Sequence, residues 1–173
     1  TRLRSIISEV PKCMAPVAGR PFLAFIISYL QKQGVEQFIF SLGFKHEVIT
    51  EFLKNEYASL HYSTVIEKEP LGTGGAIMLA CHAVKGQHTL IVNGDTLFDI
   101  DLQQLSGFHQ QKNSSCSIAL KPMKNFSRYG SVETDQDDHI TVFNEKKFCS
   151  KGLINGGIDA LKKDSLAEKD FPP

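Results

Sequence analysis

Apolar runs with helical spacing alternate along this chain with shorter apolar runs that end in glycine or polar turns. PFLAFIISYLQKQG reads as a buried helix, with Pro21 in its first turn and Gly34 closing it. VEQFIFSLG follows as a strand that sets Phe38 and Phe40 on one face and Ile39 on the other. KHEVITEFLKN carries Val48, Ile49, Phe52 and Leu53 at helical spacing. HYSTVIEKE, with β-branched Thr64, Val65 and Ile66, is strand-like. A glycine cluster, LGTGG, leads into a helix over AIMLACHAV. HTLIVNGD then has the continuous apolar core of a strand buried on both faces. Asp101 is placed to cap a helix over DLQQLSGFHQQKN, and SSCSIALKP is the next strand.

The alternation up to Pro122 predicts βαβ units and an α/β fold, a Rossmann-like mixed and mainly parallel sheet flanked by helices. Beyond Pro122, RYGSVETD, HITVFNEKK and GLINGGIDAL read as short strands of mixed orientation, the first two joined by a polar QDD turn. The tail KKDSLAEKDFPP falls outside any predicted element. Neither linker composition nor an internal repeat divides the chain, so residues 1–173 are expected to form a single domain.

Composition narrows the function classes. The 42% hydrophobic share is globular, and 19 basic residues balance 19 acidic ones. A neutral chain has no general attraction for nucleic acid or an anionic membrane, so any phosphate binding must be local. No apolar run approaches the ~20 residues needed to span a bilayer, and no signal peptide is visible. The cysteines (Cys13, Cys81, Cys116 and Cys149) are scattered without a C-x-x-C pair, which reads as reduced thiols of a cytoplasmic protein. The histidines show no ligand spacing.

Local phosphate chemistry is suggested at the start of the chain. TRLRSIISEVPKCMAPVAGRP sets Arg2 and Lys12 on an irregular segment punctuated by proline and glycine, a planar fork and a mobile point charge suited to polyphosphate. Arg4 reads equally well as a surface cation. Taken alone, such cations are as often solvated loop charges. EKEPLGTGGAI offers glycines that let backbone approach a ligand at a helix N-terminus, although an isolated GTGG is more often a plain turn. In VNGDTLFDIDL, Asp95 follows a strand end, where open α/β sheets bind ligands. Asn-Gly there is also a strong turn signal. Asp99 and Asp101 suit turn and cap roles.

These motifs, in this order up to Asp159, resemble those of the sugar nucleotidyltransferases (nucleoside-diphosphate-sugar pyrophosphorylases), whose signature runs G-G-x-G-T-R-L-R-P…P-K-P-M-x-P-V-x-G-K-P. The resemblance implies transfer of a nucleotidyl group from a nucleoside triphosphate to a sugar 1-phosphate, with release of pyrophosphate. It makes Arg2 and Lys12 the catalytic cations. Leu71, Gly72, Thr73 and Gly74, with Asn93 and Gly94, become nucleotide-binding residues, and Glu69 a further candidate. It makes Asp95 the ligand of Mg²⁺, a hard ion that takes oxygen donors. Tyr129, Gly130, Glu145, Lys146, Asn155 and Gly156 resemble the family's sugar-phosphate motifs.

Departures from the pattern are Cys13, where proline is common, and Asp159, where tyrosine is common. Nothing marks Cys13 as a nucleophile. By the same resemblance, the family's glycine loop and first strand are expected ahead of Thr1, and its second metal-binding Asp beyond Pro173.

VPKCMAPVAGRPFL, EKEPLGTGGAI, NGDTLFDIDL and FNEKK…GLINGGI together look most like the bacterial D-glycero-D-manno-heptose 1-phosphate guanylyltransferase subfamily, which implies GTP as donor. A mannose 1-phosphate guanylyltransferase or other sugar-1-phosphate nucleotidyltransferase, and a silent nucleotide-sugar-binding module, are the alternatives. The resemblance leaves a homo-oligomer open. An oxidoreductase is disfavoured, because no G-x-G-x-x-G opens a helix after a strand.

Overall fold

The computed structural model describes residues 10–166. A 3₁₀ turn over Lys12–Met14 leads into a two-residue hairpin, in which β1 (Pro16–Val17) pairs antiparallel with β2 (Arg20–Pro21). The hairpin loop is Ala18 (φ 47°) and Gly19 (φ 78°), both left-handed, as a type I′ turn requires. The chain then alternates as predicted through α1 (Phe22–Lys32), β3 (Gln37–Leu42), α2 (His46–Glu56), β4 (His61–Ile66), α3 (Gly72–Cys81), β5 (His88–Val92) and α4 (Leu102–Gln111).

β3 and β4 pair in parallel, in register from Gln37↔His61 to Leu42↔Ile66. Burial follows the sequence periodicity. Leu23, Ile26, Ile27 and Leu30 of α1 join Phe38 and Leu42 of β3 and Ile49 and Leu53 of α2 in one core. Phe38 and Phe40 share a face and stack with centroids 6.0 Å apart. Asp101 caps α4, its Oδ1 accepting from the Gln103 and Gln104 N–H groups at 2.9 and 3.0 Å.

The second half is built on β9 (Cys149–Lys162), which contains the strand expected over GLINGGIDAL and extends it at both ends. It pairs antiparallel with β5, with β6 (Cys116–Phe126) and with β7 (Ser131–Thr134), while β8 (Ile140–Asn144) pairs with β7 alone. Ladder pairing flanks its Asn-Gly-Gly segment, with β6 up to Asn155, with β5 from Ile158 and with β6 again from Asp159.

Two further expectations need correction. The glycine cluster does not precede α3; Gly72 to Gly75 form its first turn. β5 is also only half-buried. Among the described ladders its one partner is β9, and the one partner of β3 is β4. Consecutive residues 35–44 and 88–94 line one cavity of about 1340 Å³, whose walls also include α1 and α3 side chains. Strand side chains alternate between faces, so a cavity bordered by every successive residue touches strand edges. The cavity therefore runs along the edges of both β3 and β5 among the described residues.

Candidate active site

At the carboxyl ends of β3 and β5 the cavity is bordered by Pro11 and Cys13 of the 3₁₀ turn, Gly72 and Thr73 of α3, and Asn93 and Gly94 after β5. The structure thus gathers three of the segments singled out in the sequence. Lys12 Nζ lies 3.7 Å from Asp95 Oδ2, with side-chain exposures of 84% and 48%. An ion pair so open to water contributes about 0–1 kcal/mol to stability. Its ends are available to a ligand.

Below it the backbone is well anchored. Cys13 and Met14 pack on the core, the Met14 N–H donates to the Pro11 carbonyl at 2.8 Å, and a Cβ placed on Gly94 would sit 3.8 Å from Cys13 Cβ. Burial, and then the Asp95 carboxylate, push the Cys13 thiol pKa up, partly offset by a backbone hydrogen bond that lowers it. A protonated thiol there is no nucleophile.

The loop carrying Asp95 is pinned from two sides. From α1, the Tyr29 hydroxyl donates to the Ile100 carbonyl at 2.6 Å and accepts from the Ile100 N–H at 2.8 Å. Gln33 Nε2 donates to the same carbonyl at 2.8 Å, while its Oε1 accepts from the Leu102 N–H at 2.9 Å. From β9, the Gly157 carbonyl accepts the Asn93 N–H at 2.9 Å. Phe98 lies flat against Gly156 and beneath Lys121, whose Nζ is 5.9 Å from the ring centroid. Sequence reading missed Tyr29 and Gln33, although two polar residues four apart on an apolar helix are a readable signal.

The start of α3 is also held by a residue the sequence reading passed over. Glu67 Oε2 accepts the Leu71 N–H at 3.1 Å, and the Glu67 N–H donates to the Leu42 carbonyl at 2.8 Å. The carboxylate thereby ties the end of β4 to the glycine turn, whose Gly72 has φ 69°. Leu71 and Thr73 are exposed there, as is Glu69.

The remaining candidates lie elsewhere. Tyr129, Gly130, Glu145 and Lys146 sit around the β7–β8 hairpin and make no hydrogen bond or ion pair with Lys12 or Asp95 among the described residues. Gly130 is sterically required, since a Cβ would fall 2.5 Å from the Asn144 carbonyl oxygen. The hairpin joins β9 at Val132↔Leu153, two positions before Asn155. Gly156 meets the Asp95 loop at Phe98, and Asn155 reaches it through Gly157, whose carbonyl accepts the Asn93 N–H. Arg2 lies outside the described residues. No group of three or more metal-ligating side chains occurs among the described residues.

The sequence profile of the nucleotidyl transferase family matches residues 1–164. The D-glycero-alpha-D-manno-heptose 1-phosphate guanylyltransferase of Campylobacter jejuni is 48% identical over 164 residues, covering 95% of this chain and 72% of the relative. That of Aneurinibacillus thermoaerophilus is 46% identical over 173 residues, covering 97% and 75%. Among solved structures, HddC from Yersinia pseudotuberculosis complexed with GMP-PN superposes with a TM-score of 0.84 at 34% identity, covering 100% of this chain and 76% of that one.

Proposed function

The chain belongs to the nucleotidyl transferase family, a sugar-1-phosphate nucleotidyltransferase, and from that premise we propose that it transfers GMP from GTP to D-glycero-D-manno-heptose 1-phosphate. The single observation that carries this reading is the solvent-facing Lys12–Asp95 pair, whose chain neighbours Cys13 and Gly94 border the same cavity as the glycine turn of α3. The relatives named for heptose 1-phosphate and the GMP-PN complex of a structural relative support the choice of guanine and heptose.

In this reading a phosphate oxygen of the sugar 1-phosphate attacks the α-phosphorus. A new P–O bond forms, the bond from the α-phosphorus to the bridging oxygen breaks, and its electron pair leaves with pyrophosphate. Chemistry of this kind depends on positioning and charge neutralisation. Lys12 supplies a cation beside the departing charge, in company with Arg2. The first turn of α3 presents backbone N–H groups and lets the base approach at Gly72 to Gly74. Tyr129, Gly130, Glu145 and Lys146 receive the sugar phosphate.

Asp95 fits Mg²⁺ as a lone carboxylate, because this ion keeps several waters and takes much of its coordination from substrate phosphates. When bound, Mg²⁺ supplies charge stabilisation on the phosphate oxygens. Asp95 is the residue that would hold it, and Lys12 lies 3.7 Å from the Asp95 carboxylate. One folded unit carries both substrate regions, so we read the chain as a single domain.

Pyrophosphate release with GTP, Mg²⁺ and a panel of sugar 1-phosphates tests the proposal, the heptose 1-phosphate being turned over fastest. Lys12→Ala and Asp95→Ala should each lower kcat about 10²–10³-fold. Unchanged activity in both variants would remove the assigned roles. Faster turnover of mannose 1-phosphate would reassign the sugar.

A further inference from the structure

Asn155 is exposed, yet its side chain is committed inside the protein. Its Oδ1 accepts the Gly157 N–H at 2.6 Å, and its Nδ2 donates to Asp159 at 3.2 Å to Oδ1 and 3.4 Å to Oδ2. These bonds straddle an irregularity in the sheet. Ile118 of β6 pairs with Asp159 and Leu120 with Asn155, so β9 uses four positions where β6 uses two. The surplus backbone bulges at Gly156 and Gly157, the latter with φ 89°. The Asn155 side chain closes the bulge like a strap, from its base at Asp159 to its crest at Gly157.

The crest touches the Asp95 loop. The Gly157 carbonyl accepts the Asn93 N–H at 2.9 Å. A Cβ at Gly157 would stand 3.0 Å from Asn93 Nδ2 and 3.4 Å from both Asn93 Cβ and Thr96 Cβ. Three hydrogen bonds thus run Asp159, Asn155, Gly157, Asn93, and end two residues before Asp95. We propose that Asp159 and Asn155 are positioning residues for the nucleotidyl transfer site, strapping the β9 bulge so that it fixes the Asp95 loop. This rests on the reading of Asp95 as the metal-holding carboxylate, and it gives Asn155 a role other than contact with the sugar. Burial without a cationic partner raises the Asp159 pKa, and the Asn155 amide lowers it in part; a carboxylate kept there at such a cost accords with a positional use.

The test compares Asn155→Ala, Asp159→Ala and Asp159→Asn in the same chain. Amide hydrogen exchange without metal or substrate reads the strap itself. The Asn93 and Gly157 amides should exchange at least about tenfold faster in both alanine variants, and near the wild-type rate in Asp159→Asn, whose amide oxygen still accepts from Asn155. In the pyrophosphate assay the alanine variants should lower kcat and raise the Mg²⁺ concentration for half-maximal rate about 10–100-fold. The KM for sugar 1-phosphate should stay within about twofold of wild type, because uniform substrate binding is untouched.

Wild-type exchange and Mg²⁺ dependence in both alanine variants would overturn the proposal. So would an Asn155→Ala variant that raises only the sugar 1-phosphate KM. Asn155 is a surface position, so this variant reports even where Asp159→Ala fails to fold. Asp95→Ala separates the two readings. An inactive Asp95→Ala beside a normal Asn155→Ala sinks the strap alone, whereas an active Asp95→Ala sinks the site.

Discussion

Replacing Gly156 by alanine puts one methyl group where a ring already lies. A Cβ built there would be 2.0 Å from Phe98 Cδ1 and 2.2 Å from Cε1. Reaching an ordinary contact of about 3.4 Å needs a ring displacement of roughly 1.4 Å, and overpacking of this kind costs about 1–3 kcal/mol. Phe98 cannot simply swing outward, because it packs on the core and lies under Lys121. We expect Gly156→Ala to lower unfolding stability by about 1–3 kcal/mol. Phe98→Ala, removing a half-buried ring, should cost roughly 1–2 kcal/mol.

In the Phe98→Ala background the three ring atoms nearest the methyl group are gone. The second substitution should then cost no more than about 0.5 kcal/mol, leaving a coupling of about 1–3 kcal/mol in the double-mutant cycle. The chain has no tryptophan, so urea unfolding is followed by far-ultraviolet circular dichroism. Phe98 belongs to the Asp95 loop, so kcat should fall in Gly156→Ala and recover in part in the double variant. Equal destabilisation by Gly156→Ala in both backgrounds would refute the packing argument.

Three further outcomes follow from groups outside the ion pair. His109 is buried, its Nδ1 2.9 Å from Ser117 Oγ and its Nε2 3.1 Å from His88 Nδ1, and its pKa is held below 6.5 by burial, then by His88 and Lys162. A depressed histidine binds more protons when unfolded, so its contribution to stability is present above about pH 6.5 and is lost as pH falls toward the folded pKa. Urea midpoints from pH 8 to 5 should show this loss, and His109→Asn should flatten it while lowering stability throughout by about 1–3 kcal/mol. Asp159 has the opposite sign. With its pKa raised, its contribution is present below the unfolded carboxylate range and is lost as pH rises through the folded pKa, so Asp159→Asn should raise the melting temperature at pH 7 and not at pH 3. Tyr29→Phe removes both hydrogen bonds to Ile100 and should cost about 1–3 kcal/mol, with faster amide exchange at Ile100.

The sequence made the first half of the fold legible because its elements obey local rules. α1, α2, β3 and β4 carry their core residues at the periods that helices and strands demand, and Asp101 caps α4 from the position its neighbours mark. The strand over GLINGGIDAL was legible and lies within β9, but its antiparallel pairing with β5, β6 and β7 was not, because strand order leaves no local signature. The start of α3 escaped the local rules, since glycine propensity argues against a helical start that Glu67 stabilises through Leu71. At the site, motif order pointed to Lys12 and Asp95, but their 3.7 Å approach depends on a turn and a loop eighty residues apart in the chain. The spacing of Tyr29 and Gln33 marks a polar pair without naming its partners, because the backbone atoms that the clamp and the crest of the strap bind leave no sequence signature.

The division between what is fixed and what is free at this site argues for its use. A surface ion pair contributes too little to stability to justify elaborate support. Yet the loop beneath Asp95 is tied to α1 by four hydrogen bonds, to β9 by another, and wedged by Phe98 against Gly156. The 3₁₀ turn beneath Lys12 is anchored to the core through Cys13 and Met14. Folding holds the backbone here and leaves the charged ends in water, as a site must if it is to meet phosphate with little reorganisation at the moment of reaction. The β7–β8 hairpin, by contrast, meets β9 through the single register pair Val132↔Leu153 and leaves Tyr129 and Phe143 exposed. On the proposed reading the charge that develops in nucleotidyl transfer lies beside Lys12 and Asp95, and the described hydrogen bonds gather under that pair.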